Sequence, residues 1–190
     1  VKVCIGSGGG KMSGKMSAKK GSSYRSLLIY ILLCLLAVLL FRMVFLIAVV
    51  PTGSMENTIE EQDFVFCTRY DADQPERYDI MVFRIEGEDN YYIKRVIGLP
   101  GETITVREGA VYADGVRLEE PFLKEEMTPG LGDGTYIVPE GCYFFLGDNR
   151  NQSLDSRFWD DPYVEGKNLV AHARAVIYPF GHIKSLERGE

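Results

Sequence analysis

The chain has 190 residues and a formal net charge of −6, but the charge is unevenly placed. Of its 21 basic residues, six (Lys2, Lys11, Lys15, Lys19, Lys20, Arg25) lie in residues 1–26 with no acid, and Arg42 stands alone. The other 14 face all 27 acids after position 50. So acidic a region is unsuited to nucleic acid, which is recognised by neutralising phosphates.

The four cysteines, Cys4, Cys34, Cys67 and Cys142, form no CxxC, and His172 and His182 are ten apart. No zinc site, metal or cofactor is expected from that spacing. A Cys67–Cys142 disulfide and two buried single thiols both remain open.

Residues 1–23 read as a basic, Gly/Ser/Lys-rich tail without apolar period. Leu27 to Val50 is then apolar with one charge, Arg42. The pattern predicts a transmembrane anchor over 24–45, with Arg42 in its last turn reaching the headgroups. The run is longer than the apolar core of a secretory signal, and no small-x-small cleavage site follows, so the anchor is expected to be retained. The basic flank predicts a single pass through the cytoplasmic membrane, N-terminus in the cytoplasm. Residues 46–190 are then a domain on the outer side, and 46–50 can rest against lipid.

That domain reads as mainly β. Short aromatic or β-branched runs are predicted as strands at 46–50, 64–68, 80–84, 91–98, 103–107, 110–113, 116–118, 136–138, 142–146 and 169–178. Glu108-Gly109 and Asp114-Gly115 are hairpin turns. The acidic, Pro- and Gly-containing stretch 119–134 is predicted to be a mobile loop.

Three places can carry chemistry. Pro51-Thr52-Gly53-Ser54-Met55 lies where the apolar run ends; it is either a turn closing the membrane helix or the seat of a reactive serine. Such a serine needs a base. His172 and His182 lack a carboxylate motif. Lysine serves only when burial lowers its pKa from about 10.4. Lys94 has apolar neighbours, Tyr92 and Val96 sharing its face by alternation and Ile93, Arg95 and Ile97 the other. A lysine on the solvated face of an edge strand fits the same pattern. Residues 147–157 form an Asx-, Ser- and Arg-rich loop in which Asp155 and Arg157 can pair and Ser153 can aim a lysine amine; a purely structural loop fits equally.

Together, PTGSMENTI at 51–59, RYDIMVF at 77–83, YYIKRVIGLPGE at 91–102 and GDNRNQSLDSRFW at 147–159 resemble the boxes of the type I signal peptidases, membrane-bound Ser-Lys proteases. The resemblance runs from about 24 to 181, in the compact form of Gram-positive members. It implies an N-terminal transmembrane helix followed by an antiparallel β-sheet catalytic domain. The implied activity is removal of N-terminal signal peptides from exported preproteins that carry small residues at the cleavage site, near Sec-type export machinery. By the same resemblance Ser54 is the nucleophile and Lys94 the general base. Thr52 supplies an oxyanion-hole hydroxyl beside the Ser54 N–H, and Ser153 orients the lysine. Asp155 and Arg157 are the supporting ion pair, and Met55 packs beneath the site.

The chain departs from that pattern at Thr52 (serine is commoner), Asn57 (usually proline, so the turn is expected to be less restrained) and Asp160 (usually glycine). Three rivals compete with the enzyme. A non-catalytic anchored β-domain, used for binding or assembly, would not need Ser54, Lys94, Thr52 and Ser153 together. A self-cleaving repressor-type regulator would need a DNA-binding region. A sortase-like transpeptidase would need a paired cysteine and histidine.

Overall fold

The computed structural model describes residues 21–186, so the expected basic tail lies almost wholly outside the described residues. The chain divides into two compact units at residues 40 and 41. Helix α1, Gly21–Val44, begins three residues before the predicted anchor. It is long and apolar enough to cross a membrane over Tyr24–Val44. Its 24 residues span about 36 Å at 1.5 Å each, against a hydrocarbon core of about 30 Å.

The second unit is mainly β, as its short runs predict, and its strand pairings are antiparallel, as the resemblance implies. Its strands are β1 (Phe45–Val49), β2 (Phe64–Thr68), β3 (Ile80–Arg84), β4 (Tyr91–Gly98), β5 (Thr103–Arg107) and β6 (Ala110–Ala113). They continue with β7 (Val116–Arg117), β8 (Gly134–Ile137), β9 (Cys142–Leu146), β10 (Val164–Glu165), β11 (Leu169–Tyr178) and β12 (Lys184–Ser185). Among the described residues they form two sheets. The larger has the order β1-β2-β11-β3-β4-β9-β10, with β12 on β11; the smaller runs β7-β6-β5-β8. The two-residue strands β10 and β12 carry too little pattern to be read from sequence.

Turn chemistry sets the small sheet. Glu108 and Gly109 have φ of 49° and 76°, and Asp114 and Gly115 have 49° and 81°. Positive φ at both central residues matches the twist of the flanking strands in a two-residue hairpin, and Gly and Asp adopt it most readily.

Alternation holds along the edge strands. Leu46 and Ala48 of β1 pack on the core formed by Val65, Cys67, Ala173 and Val176, while Ile47 and Val49 face outward. On that outer face Val49 lies opposite Phe64, and Phe64 opposite Tyr178, an exposed apolar row.

In the middle of the sheet both faces are covered. Strand β4 runs between β3 and β9, and Lys94 is buried at 4% exposure. The reading of Lys94 as a solvated edge residue is therefore overturned. The open disulfide question also closes: Cys67 is buried in β2, Cys142 lies in β9, and both are free thiols. Burial pushes the Cys67 thiol up to about 12.

The expected mobile loop is the largest correction. Residues 119–134 are pinned at many points. Phe122 and Met127 are buried in the core, and Glu120 holds the buried Arg150 guanidinium at 2.5 and 3.0 Å. The Asn57 side-chain amide donates to Phe122 O at 3.0 Å, and Asn151 donates to Glu125 and to Glu126 O. Composition shows polar residues and turn formers; it does not show partners 25 to 65 residues away.

Candidate active site

Ser54 sits in a 3-10 turn, Gly53–Met55, entered from extended backbone at Thr52 (φ −137°, ψ 151°). The turn is anchored from below by Met55, fully buried in the core with Ile59 and Val65. Ser54 itself is 6% exposed. A polar turn is thus bolted to the protein by the apolar side chain next to it.

Lys94 Nζ reaches Ser54 Oγ at 2.5 Å. The Thr52 hydroxyl lies 3.3 Å from the same oxygen. Among the described residues, these are the side-chain groups within hydrogen-bond reach of Ser54 Oγ. Burial lowers the Lys94 amine from 10.5 to about 8, although the carboxylates of Asp155 and Asp148 pull in the opposite direction. The desolvation penalty on an ammonium is the larger effect. The pair therefore has what base catalysis by lysine requires: contact with the hydroxyl and an amine that is partly neutral near pH 8.

Both histidines do have carboxylate neighbours in space, which their sequence surroundings hide. His172 Nε2 is 3.5 Å from Asp79, and His182 Nδ1 is 2.7 Å from Asp63.

The loop 147–157 supports the pair from the other side. Asp155 and Arg157 form a fully buried two-pronged ion pair, at 2.8 and 2.9 Å. Asp155 also accepts from the Gly147 N–H at 3.1 Å, and Arg157 donates to Arg150 O at 2.7 Å. Ser153 is buried, and its hydroxyl has no hydrogen-bond partner among the described residues, so the expected bond to the lysine is not formed here. Both Ser153 Oγ and Ser54 O lie against Gly147, where a Cβ would collide with them.

Gly147 is one residue that sequence reasoning missed. A second is the pair Arg95–Asp148. It is fully buried and two-pronged at 2.6 and 2.8 Å, with the guanidinium 3.9 Å from the centre of the Phe122 ring. Arg95 follows Lys94 directly and ties β4 to the start of the loop. Opposite charges 53 residues apart give no sequence signal for such a pair.

In front of Ser54 and Lys94 opens a cleft of about 440 Å³, with Pro51, Thr52, Tyr91, Ile93 and Leu154 among its walls. Residues 23–178 match the family model described as signal peptidase, peptidase S26.

The chain belongs to this family. Among relatives, signal peptidase I of Pseudomonas aeruginosa is 33% identical over 179 residues, 67% of this chain and 62% of the relative. Signal peptidase I of Bacillus licheniformis is 33% identical over 149 residues, 73% and 80%. A solved signal peptidase I of Enterococcus faecalis is 33% identical, with TM-score 0.46, over 55% of this chain and 97% of that one. The chain spans about 62% of the length of the two Pseudomonas relatives it matches. In this family's terms, the S26 match encloses both the 3-10 turn and strand β4, so each half of the Ser54–Lys94 contact falls inside it.

Proposed function

We propose that this chain is a membrane-anchored serine endopeptidase that removes N-terminal signal peptides from exported preproteins through a Ser54–Lys94 dyad. The observation that carries the reading is the 2.5 Å contact between a buried lysine amine and a serine hydroxyl at the floor of a cleft. As a free amine, Lys94 takes the proton of Ser54 while Ser54 Oγ attacks the scissile carbonyl. The oxyanion is held by the Ser54 N–H and the Thr52 hydroxyl, each such donor being worth about 2.7–4 kcal/mol in the barrier. The Lys94 ammonium then protonates the leaving amine, and a water deprotonated by Lys94 releases the acyl group. Asp155 and Arg157 hold the loop that bears Ser153, whose hydroxyl is free to engage the amine once substrate fills the cleft.

The substrate enters as an extended strand. On one side, Tyr91–Lys94 of β4 pair with β3; on the other, β9 pairs only Arg95–Gly98. The edge of residues 91–94 left over borders the cleft. A peptide added there gains main-chain hydrogen bonds and presents alternate side chains to one wall, which suits small residues at the first and third positions before the bond. The apolar row around Val49 and Phe64 rests on the lipid, close to the substrate's own apolar segment. The basic flank keeps the N-terminus in the cytoplasm and puts this domain on the outer side.

The test is cleavage of a model preprotein with an Ala-x-Ala site by the full chain in detergent, beside Ser54→Ala and Lys94→Met. Cleavage by wild type alone supports the reading. Cleavage by either folded variant sinks the dyad.

A further inference from the structure

Asn149 is fully buried beside the nucleophile turn, yet the dyad reaction gives it no role. Its backbone N–H donates to Ser54 O at 3.2 Å. Its side-chain Nδ2 donates to Gly53 O at 3.0 Å and to Glu56 Oε2 at 3.1 Å. Both side-chain partners are acceptors, so the amide must present its nitrogen to them; the Oδ1 on the other side has no partner among the described residues. Glu56 is in turn ion-paired to Lys124 of the pinned 119–134 segment.

The Gly53 carbonyl and the Ser54 N–H belong to one peptide unit. That unit is planar and trans, so the two groups point in opposite directions. A donor that holds the carbonyl toward itself therefore aims the N–H away. Gly53 makes such a hold necessary, because a glycine lets its peptide planes turn at little steric cost. It also makes the arrangement possible: a Cβ at Gly53 would collide with the Glu56 carboxylate. The Glu56 N–H gives the same carbonyl its second bond, at 3.2 Å.

We infer that Asn149 is a positioning residue that fixes the direction of the Ser54 N–H, and so the readiness of the oxyanion hole. The inference rests on the dyad reading above. Its effect belongs to the transition state and not to substrate binding, since the N–H meets full negative charge only there.

The experiment measures kcat and KM on the preprotein substrate, with full chain in detergent, for Asn149→Asp and Asn149→Ala. Asn149→Asp keeps the volume and replaces the donors by a carboxylate facing two acceptors. We expect its kcat to fall by about tenfold or more, with KM changed by less than about twofold, because a misplaced oxyanion donor is worth up to about 10²–10³. Asn149→Ala should fall less than Asn149→Asp. A residue that only fills space gives the opposite order, and that order overturns the inference, as does a wild-type kcat in Asn149→Asp. If Asn149→Asp does not fold, Asn149→Ala decides: a tenfold lower kcat at unchanged KM supports the inference, and a wild-type kcat overturns it. Affinity for a peptide aldehyde, whose Ser54 adduct places its oxygen in the hole, should fall by the same factor as kcat. Ser54→Ala and Lys94→Met run alongside. If either cleaves, the dyad reading fails and takes the inference with it. If both are inactive while Asn149→Asp is fully active, the inference alone fails.

Discussion

Lys94 and Arg95 are consecutive, both are buried, and the protein treats their charges in opposite ways. Arg95 is given a dedicated carboxylate: Asp148 meets its guanidinium at two points. Lys94 is given a hydroxyl and, among the described residues, no direct carboxylate; Asp155 and Asp148 act on it only at a distance. A guanidinium stays protonated in proteins and needs a partner when buried, whereas an ammonium can lose its proton instead. Alternation along β4 sends the two side chains to different faces, so one strand carries a fixed cation and, on the proposed dyad, the base.

The pH dependence of cleavage follows directly. On the proposed dyad the active form has Lys94 neutral, and burial lowers its amine to about 8. Below that value the neutral fraction drops tenfold per pH unit. We expect kcat/KM to rise with slope one through the acidic range and level off above about pH 8, the level region reporting the neutral base. A profile that is flat down to about pH 5, well below any range open to a buried lysine base, would count against Lys94 in that role.

Stability should show the same titration with the sign reversed from that of a salt bridge. The folded-state pKa of Lys94 lies below its ordinary 10.5. The folded protein therefore bears a cost for holding the ammonium. That cost is complete below about pH 8 and is relieved as pH rises toward 10.5, where the unfolded chain also loses the proton. At about 1.4 kcal/mol per unit, the shift corresponds to roughly 3 kcal/mol. Lys94→Met removes the charge at similar volume, so it should be more stable than wild type at pH 7 by up to that amount. The gap should close toward pH 10.5, read from urea unfolding of both proteins at each pH. A gap independent of pH would mean that desolvation of Lys94 is not its source.

Five consecutive strands of the larger sheet, β2, β11, β3, β4 and β9, were legible residue for residue, because aromatic and β-branched runs bounded by turn formers admit little else. The candidate site was legible only in part. From the residues alone, Lys94 read more readily as a solvated edge lysine than as a base; what decides is its burial against the Ser54 turn and near Asp155 of the loop 147–157, and both are long-range facts. The same limit explains the 119–134 segment. Glu120 and Arg150 are thirty residues apart, and nothing local marks them as partners. Gly147 reads as a turn glycine, although its lack of a side chain is what allows two other segments to meet.

Gly147→Ala tests that close approach. The added methyl has no space between Ser54 O and Ser153 Oγ, so one of them must move. Ser54 O belongs to backbone and is also held by the Asn149 N–H, so the turn shifts as a unit. A displacement of about 1 Å near reacting atoms costs on the order of 10²-fold in rate. We expect a loss of at least that size in kcat, with the domain still folded by circular dichroism. Gly147→Ala combined with Ser153→Gly removes both Ser153 atoms that the methyl would meet, Oγ and Cβ, and should not restore the rate if the contact with Ser54 O is the one that matters.

Asn57 offers a prediction that runs against the family pattern, in which proline is usual. The expectation of a looser turn fails here: Asn57 has φ of 85°, which proline cannot adopt because its ring fixes φ near −65°. Asparagine tolerates this left-handed region better than most residues. Its side chain also donates to Phe122 O at 3.0 Å, and its N–H to Glu60 Oε1 at 3.3 Å. Asn57→Pro loses both bonds and the conformation together. We expect it to destabilise the domain by more than about 1 kcal/mol, where a consensus argument expects a gain. Asn57→Gly keeps access to positive φ and loses only the side-chain bond, so it should fall between the two. Thermal unfolding of the three proteins separates the contributions; a higher midpoint for Asn57→Pro than for wild type would show that the turn can switch to the proline form, and that the bond to Phe122 is dispensable.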